Sequence, residues 1–227
     1  MKILLIGSLG KMGKTIAESV SNTDDEIVAG IDITSVYENG FETYDTIPKT
    51  LAHIDAIIDF STAQSRQKLI EFAHHNKIPY GLFSTVISKQ DEEDLKNLSK
   101  SVPVLKCKNS SLGINLFYLI LKDICPKLKT ADAVLTEYHH KQKLDSPSGT
   151  AKEIERILIS NDVKFSTSAF RVGNEKGFHK LQFFFGDEIL EISHRANSRK
   201  VFADGTLDAM HKLLSKPAGL YESILDL

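Results

Sequence analysis

Lys2-Ile3-Leu4-Leu5-Ile6-Gly7-Ser8-Leu9-Gly10-Lys11-Met12-Gly13 decides the fold of the first half of the chain. Ile3 to Ile6 is a continuous apolar run, the pattern of a parallel strand buried on both faces. It enters a loop of three spaced glycines, then a helix with Met12, Ile16, Ala17 and Val20 on one side. Strand, glycine loop and helix in that order are the setting in which a glycine fingerprint signals dinucleotide binding. The glycines permit a tight turn and let the backbone approach a pyrophosphate at the helix N-terminus. Gly7, Gly10, Lys11, Met12 and Gly13 are therefore the candidate phosphate contacts. The spacing is GxxGxxG, not GxGxxG, so a plain strand-to-helix turn stays open as the alternative.

Moving outward, Glu26 to Ile31 reads as a second strand ending at Asp32, about twenty positions past the glycine loop. An acidic residue there is placed to accept hydrogen bonds from the adenosine ribose hydroxyls. Further strand-helix units follow: Ala56 to Phe60 before a helix over Ala63 to His75, Pro79 to Phe83 before one over Asp91 to Leu98, then Val102 to Leu105. Such alternation predicts a parallel sheet covered by helices on both faces. Ligands of these sheets bind at the carboxyl ends of the strands. That rule sets Phe60, Ser61, Phe83, Ser84, Thr85, Asn109 and Ser110 around a cofactor. Thr43 to Pro48 is irregular and reads as loop.

After Asn109 the pattern changes. Gly113 to Leu128 reads as a strongly apolar helix, and Ala131 to Tyr138 as a strand. Phe165 to Val172, Lys180 to Phe185 and Glu188 to His194 read as further strands, with Gly186-Asp187 as a hairpin turn. Strands this close together predict a mixed or antiparallel sheet with one helical face. The aromatic triplet Phe183 to Phe185 reads as core or subunit interface.

Composition narrows the partners. The chain has 227 residues, 41% hydrophobic and 26% charged, ordinary for a globular protein. A net charge of -2 gives no electrostatic case for nucleic acid or an anionic membrane surface. Two cysteines, Cys107 and Cys125, make neither a disulfide framework nor a metal cluster, so no metal is expected and a reduced cytoplasmic setting fits.

The chemistry is concentrated in Glu137-Tyr138-His139-His140-Lys141-Gln142-Lys143-Leu144-Asp145-Ser146-Pro147-Ser148-Gly149-Thr150-Ala151. Ser148 is placed as an N-cap for a helix with Ile154, Ile157 and Leu158 on one face. The amides of Gly149 and Thr150 would then point outward at a positive helix end that accepts carboxylate or phosphate. Lys143 adds a mobile cation, and His139 and His140 add imidazoles, the side chain type suited to proton transfer near neutral pH. Capture of a small anion followed by proton transfer is the implied chemistry. If the strand stays extended to His140, the two imidazoles face opposite ways and do not share a role. A second pair, His74-His75, near the end of a helix, reads as polar surface.

The same loop resembles the signature of the dihydrodipicolinate reductase family. Two further segments resemble it: Arg171-x-Gly173-x-x-x-Gly177-x-His179, and Glu191-Ile192-Ser193-His194-Arg195-Ala196-x-Ser198-Arg199-x-x-Phe202-Ala203-x-Gly205. The family usually carries Gly-Thr-Thr-Gly where this chain has Phe83-Ser84-Thr85-Val86. The resemblance implies an α/β chain with an N-terminal Rossmann-type parallel-sheet domain and a second α+β domain for substrate binding and oligomerisation. It divides the chain into 1–109 plus 200–227 and 110–199. It implies NAD(P)H-dependent reduction of a small dicarboxylate by a homotetramer. His139 and Lys143 become the acid-base pair, and His140, Ser148, Gly149, Thr150 and Arg199 the carboxylate binders. For His194 and Arg195 a structural hydrogen-bond network is the favoured reading. With Asp32 followed by Ile33-Thr34-Ser35-Val36 and no basic residue beside the ribose, NADH is expected to be preferred, with NADPH still accepted through Lys11. The alternative is a non-catalytic nucleotide sensor on the same fold, supported only by the altered 83–86 segment.

Overall fold

The structure is a computed structural model that describes residues 1–62, 66–84 and 86–227. It forms two compact units, Met1–Ser110 with Phe202–Leu227, and Ser111–Val201.

In the first unit the expected strands become β1 (Lys2–Ile6), β2 (Glu26–Ile31), β5 (Ala56–Asp59), β6 (Tyr80–Leu82) and β7 (Pro103–Lys106). Three short strands were not foreseen. Val36–Glu38 (β3) and Phe41–Tyr44 (β4) form a hairpin in a stretch given no strand from the sequence, and only its end, Thr43-Tyr44, overlaps the segment that reads as loop. Its turn is Asn39-Gly40, both at positive φ (58° and 88°), the chemistry of a tight hairpin. The strands are too short for a periodic signal, and β4 is recruited by pairing parallel to β2. A last short strand, β12 (Gly219–Tyr221), pairs parallel to β7. The sheet order is β12-β7-β6-β5-β1-β2-β4-β3, parallel throughout except for β3.

The period of two in β1 explains its unbroken apolar run. Ile3 and Leu5 face one core, shared with Ile16, Ala17 and Val20 of α1 (Lys11–Val20) and with Leu207, Met210 and Leu213 of α6 (Lys200–Leu214). Leu4 and Ile6 face another, shared with Leu69 and Ile70 of α2 (Arg66–Asn76) and Leu95 of α3 (Lys89–Leu98). Both faces are therefore covered, as the alternation predicts. The expected start of α2 at Ala63 lies outside the described residues.

The second unit is a mixed sheet, β11-β10-β8-β9, built from β8 (Asp132–His139), β9 (Lys164–Arg171), β10 (Phe178–Phe185) and β11 (Glu188–Arg195). β8 pairs antiparallel to β10 and parallel to β9, the latter through the crossover helix α5 (Gly149–Ser160). Ala133 and Leu135 of β8 and Leu181 and Phe183 of β10 pack under α5 and under α4 (Leu112–Ile124). The aromatic triplet divides accordingly: Phe183 is core, whereas Phe184 points to the opposite, open face. Cys107 and Cys125 are buried free thiols. No helix among the described residues is long and apolar enough to cross a membrane.

One glycine shows how tightly α6 is docked. A methyl group on Gly205 would lie 2.0 Å from the Ser110 carbonyl oxygen, and the Ser110 hydroxyl donates to the Phe202 carbonyl at 2.7 Å. Overpacking of this kind costs about 1–3 kcal/mol, against a gain of at most ~1 kcal/mol for alanine in a helix. Gly205→Ala is therefore expected to lower the denaturant midpoint of purified protein. An unchanged or raised midpoint would contradict this packing.

Candidate active site

In the first unit β1 must reverse sharply to enter α1. Gly7 does so at φ +77°, and its N–H donates to the Ile31 carbonyl at 2.8 Å. A Cβ on Gly7 would stand 3.2 Å from the Phe60 carbonyl carbon, and one on Gly13 only 2.3 Å from the Gly7 carbonyl oxygen. Gly10 is the N-cap of α1 and supplies no side-chain cap, so the helix start is left open to an anion. Lys11 and Met12 form the first turn, Lys11 exposed and Met12 partly packed on the core. Asp32 follows β2 directly. Its Oδ2 accepts the Leu9 N–H at 2.8 Å and its Oδ1 the Ile33 N–H at 2.7 Å, tying the acidic residue to the glycine loop.

The ends of β5 and β6 lie side by side, and the Phe60 and Phe83 rings stack with centroids 5.4 Å apart. Ser61 donates its N–H to Asp59 at 2.6 Å, and Ser84 is largely buried. Thr85 lies outside the described residues. The Asn109 carbonyl accepts from the Cys107 thiol, and the Ser110 hydroxyl is committed to α6. Glycine-filled close approaches, an uncapped helix start and a fixed carboxylate at the end of β2 together suit a dinucleotide.

In the second unit the alternation of β8 that buries Ala133 and Leu135 also turns Glu137 and His139 to the same face. Register adds two more groups: His179 stands opposite Glu137 on β10, and Arg171 opposite His139 on β9. The start of α5 closes over them. The Ser148 N–H donates to Glu137 Oε1 at 3.0 Å, and Arg171 Nη2 reaches the same oxygen at 3.1 Å. His139 Nδ1 lies 2.9 Å from Oε2 and His179 Nε2 3.5 Å from it. The His139 contact is off the line of a well-aligned hydrogen bond, so its attraction is chiefly electrostatic.

Glu137 is fully buried. Burial alone would raise its carboxyl, but the attraction of His139 and His179 and the hydrogen bond from the Ser148 N–H outweigh it and hold the group well below the ordinary carboxylate range. His179 is driven the other way: burial lowers it, and Glu137 only partly compensates. A neutral imidazole beside an ionised carboxylate results. The ligand atoms of Glu137, His139 and His179 lie within 4.8 Å of one another, a spacing compatible with a metal ion. Arg171 already neutralises the same carboxylate, which makes the cluster better suited to holding protons than a dication.

The loop from His140 to Pro147 carries the remaining groups, with a cis Ser146-Pro147 bond. Lys143 Nζ pairs with Asp145 Oδ1 at 2.8 Å. Burial opposes ionisation of Asp145, but Lys143 and the Gly149 backbone lower its carboxyl. Arg199 Nη2 lies 3.4 Å from His140 Nε2, and since a guanidinium cannot accept, the imidazole nitrogen does. Ser148, expected to bind a carboxylate, has its N–H on Glu137 and its Oγ 3.0 Å from His179 Nε2. Its donors are engaged within the protein because Glu137 reaches the helix start first. His194 and Arg195 make structural contacts, His194 near Ser111 Oγ and Arg195 with Glu175 and the Phe178 ring.

Glu137, Arg171 and His179 stand in segments that resemble the family, but the sequence assigns none of them a role in the site. Glu137 was accessible, being two positions from His139 on one strand. The other two depend on the register of β8 with β9 and β10.

Two family models match the chain: dihydrodipicolinate reductase, N-terminus, over residues 1–110, and dihydrodipicolinate reductase, C-terminus, over 113–225. Similar proteins include the 4-hydroxy-tetrahydrodipicolinate reductase of Clostridium tetani, 35% identical with 97% of this chain and 94% of that protein covered. That of Clostridium botulinum is 37% identical, over 97% and 96%. In fold the chain is similar to a dipicolinate-bound dihydrodipicolinate reductase from Paenisporosarcina sp. TG-14, with a TM-score of 0.80, 15% identity, and 100% and 99% of the two chains covered. Matched in both halves by the family's own models and along almost its whole length by these relatives, the chain belongs to the dihydrodipicolinate reductase family.

Proposed function

We propose that the protein reduces 4-hydroxy-tetrahydrodipicolinate to tetrahydrodipicolinate with a reduced nicotinamide nucleotide, in the route to diaminopimelate and lysine. The observation that carries this reading is the buried Glu137 carboxylate gripping His139, His179 and the start of α5, with Lys143 of the following loop paired to Asp145 and Arg199 near His140. The activity of the relatives sets aside the alternative of a nucleotide sensor, which has no need of a proton donor. When bound, the nicotinamide supplies hydride to the substrate ring. Gly7, Gly10, Lys11, Met12 and Gly13 would hold its pyrophosphate and Asp32 its adenosine ribose. A biosynthetic reductase drawing on this cofactor pool belongs in the cytoplasm.

The substrate is a cyclic imine bearing two carboxylates and a ring hydroxyl that must leave as water, so besides hydride the site needs cations for the carboxylates and a proton for the ring. Glu137 draws the hydrogen of His139 to Nδ1 and leaves Nε2 as its working nitrogen. Lys143, paired with Asp145, is the donor to the ring carbon. Arg199, with His140 beside it, forms a second corner whose guanidinium suits a carboxylate. Asp145 engages both Lys143 and the backbone of Gly149, so an incoming carboxylate competes with it for the Gly149–Thr150 helix start. Assembly as a homotetramer is expected through the open face of the second sheet, where Phe170, Phe184 and Ile189 stay exposed.

Two outcomes test this assignment. Lys143→Met and His139→Gln are each expected to lower kcat by roughly 10²–10⁴, the usual worth of a positioned acid or base. Dinucleotide affinity, measured by titration, should hardly change. His74→Ala and His75→Ala, exposed on α2, are the silent controls. Equal losses in the controls would place the chemistry elsewhere.

The second outcome concerns cofactor choice. Ile33, Thr34 and Ser35 after Asp32 are exposed and uncharged, and Lys14 is paired with Glu38 at 2.9 Å. One uncompensated like-charge contact suffices to disfavour the ribose phosphate of NADPH. The ratio of kcat/KM for NADH over NADPH should exceed one and fall in Asp32→Ser, both at one ionic strength because salt screens the repulsion. A ratio at or below one in the unaltered protein would contradict the role of Asp32.

A further inference from the structure

Arg66, in the first turn of α2, is fully buried. Its Nε donates to Asp59 Oδ2 at 3.1 Å, and its Nη1 to Asp91 Oδ2 at 2.7 Å. The same Nη1 donates to the Val86 carbonyl at 3.1 Å, and Nη2 to the Ser61 carbonyl at 2.9 Å. Asp59 also accepts the Tyr80 hydroxyl at 2.6 Å. One guanidinium thus sits between two carboxylates and fastens the segment after β5 to the segment after β6.

A buried ion network of this kind is seldom the most stabilising way to fill a core, since apolar residues of similar volume often do as well. What it supplies is direction. Arginine's planar fork fixes several acceptors at once, which neither lysine nor an apolar residue reproduces. The acceptors here are main-chain carbonyls at two adjacent strand ends, where ligands of parallel sheets bind. Those ends lie on the β5-β6 side of β1, whereas Asp32 lies on the β2 side. A dinucleotide with its adenosine ribose on Asp32 and its pyrophosphate at α1 extends its nicotinamide half towards β5 and β6.

We infer that Arg66 is a positioning residue for the nicotinamide half of the cofactor, acting by fixing the Ser61 and Val86 backbone through the Asp59-Arg66-Asp91 network. Phe83 and Val86 occupy the segment it holds. In this chain a buried arginine fixes the Ser61 and Val86 carbonyls at the strand ends towards which the nicotinamide end extends.

The inference rests on the dinucleotide reading and is tested by comparing two ligands on the intact protein. NADH carries the nicotinamide ring, whereas ADP-ribose keeps the adenosine, both phosphates and the second ribose but lacks that ring. Arg66→Lys, which keeps the charge and loses the fork, should weaken NADH binding by roughly tenfold, the worth of a lost charge-assisted contact. ADP-ribose affinity should change by less than about twofold. Tyr80→Phe leaves the guanidinium in place and frees one acceptor of Asp59; it should weaken NADH alone, by a smaller factor, and serves if Arg66→Lys does not fold. Equal losses for both ligands, or no loss for either in a folded variant, would overturn the inference. Failure of the unaltered protein to bind NADH would instead refute the dinucleotide reading.

Discussion

The second unit is organised around one buried negative charge. Glu137 sits where the apolar face of its sheet meets the start of α5, and Ser148, Arg171, His139 and His179 all turn towards its carboxylate. Removing a carboxylate from water costs several kcal/mol, and only a full set of donors and a nearby cation offset that. The same set fixes the proposed machinery: the ring of His139, the first turn of α5 and, through Arg171, the Asp145 carbonyl at the base of the loop. Without the carboxylate, two imidazoles, a guanidinium and a helix start would crowd together with nothing to hold them.

The charge also sets how this unit responds to acid. Glu137 is held below its ordinary value of 4.5, so its stabilisation is complete above that pH and is lost as pH falls towards the folded value. His179, kept neutral by burial below its ordinary 6.5, adds stability above that pH and loses it on acidification. Both act in one direction, and the unit is weakened by acid, not by base. The first unit uses the opposite arrangement, a buried cation between two carboxylates, to hold the ends of β5 and β6. In each unit a buried charge directs backbone and side chains at strand ends, those of β5 and β6 in the first and that of β8 in the second.

Much of this was legible in the sequence. The strand-glycine-helix order at Ile3 to Val20 and the repeat of apolar runs and helices define a parallel sheet because each signal is local. The Glu137 to Ala151 loop declared cations beside an anion-binding helix start for the same reason. Three features were not local. The β3-β4 hairpin is stabilised by pairing with β2, which its own short strands do not announce. His179 and Arg171 join the site through strand register across 42 and 34 residues of chain from Glu137, a relation no spacing in the sequence expresses. Ser148 was read correctly as the N-cap of α5, but its N–H and hydroxyl face Glu137 and His179, which only the packing of α5 on the sheet reveals.

The central claim is that Glu137 serves the reaction through His139, and a double-mutant cycle on kcat tests it most directly. Glu137→Gln, His139→Gln and the pair are compared with the unaltered protein, each confirmed as folded. Residues that act as a unit are strongly non-additive. The account predicts that Glu137→Gln slows the unaltered enzyme substantially but costs little more once His139 is replaced. Losses that multiply in full would contradict it, because Glu137 would then be acting independently of the imidazole it faces.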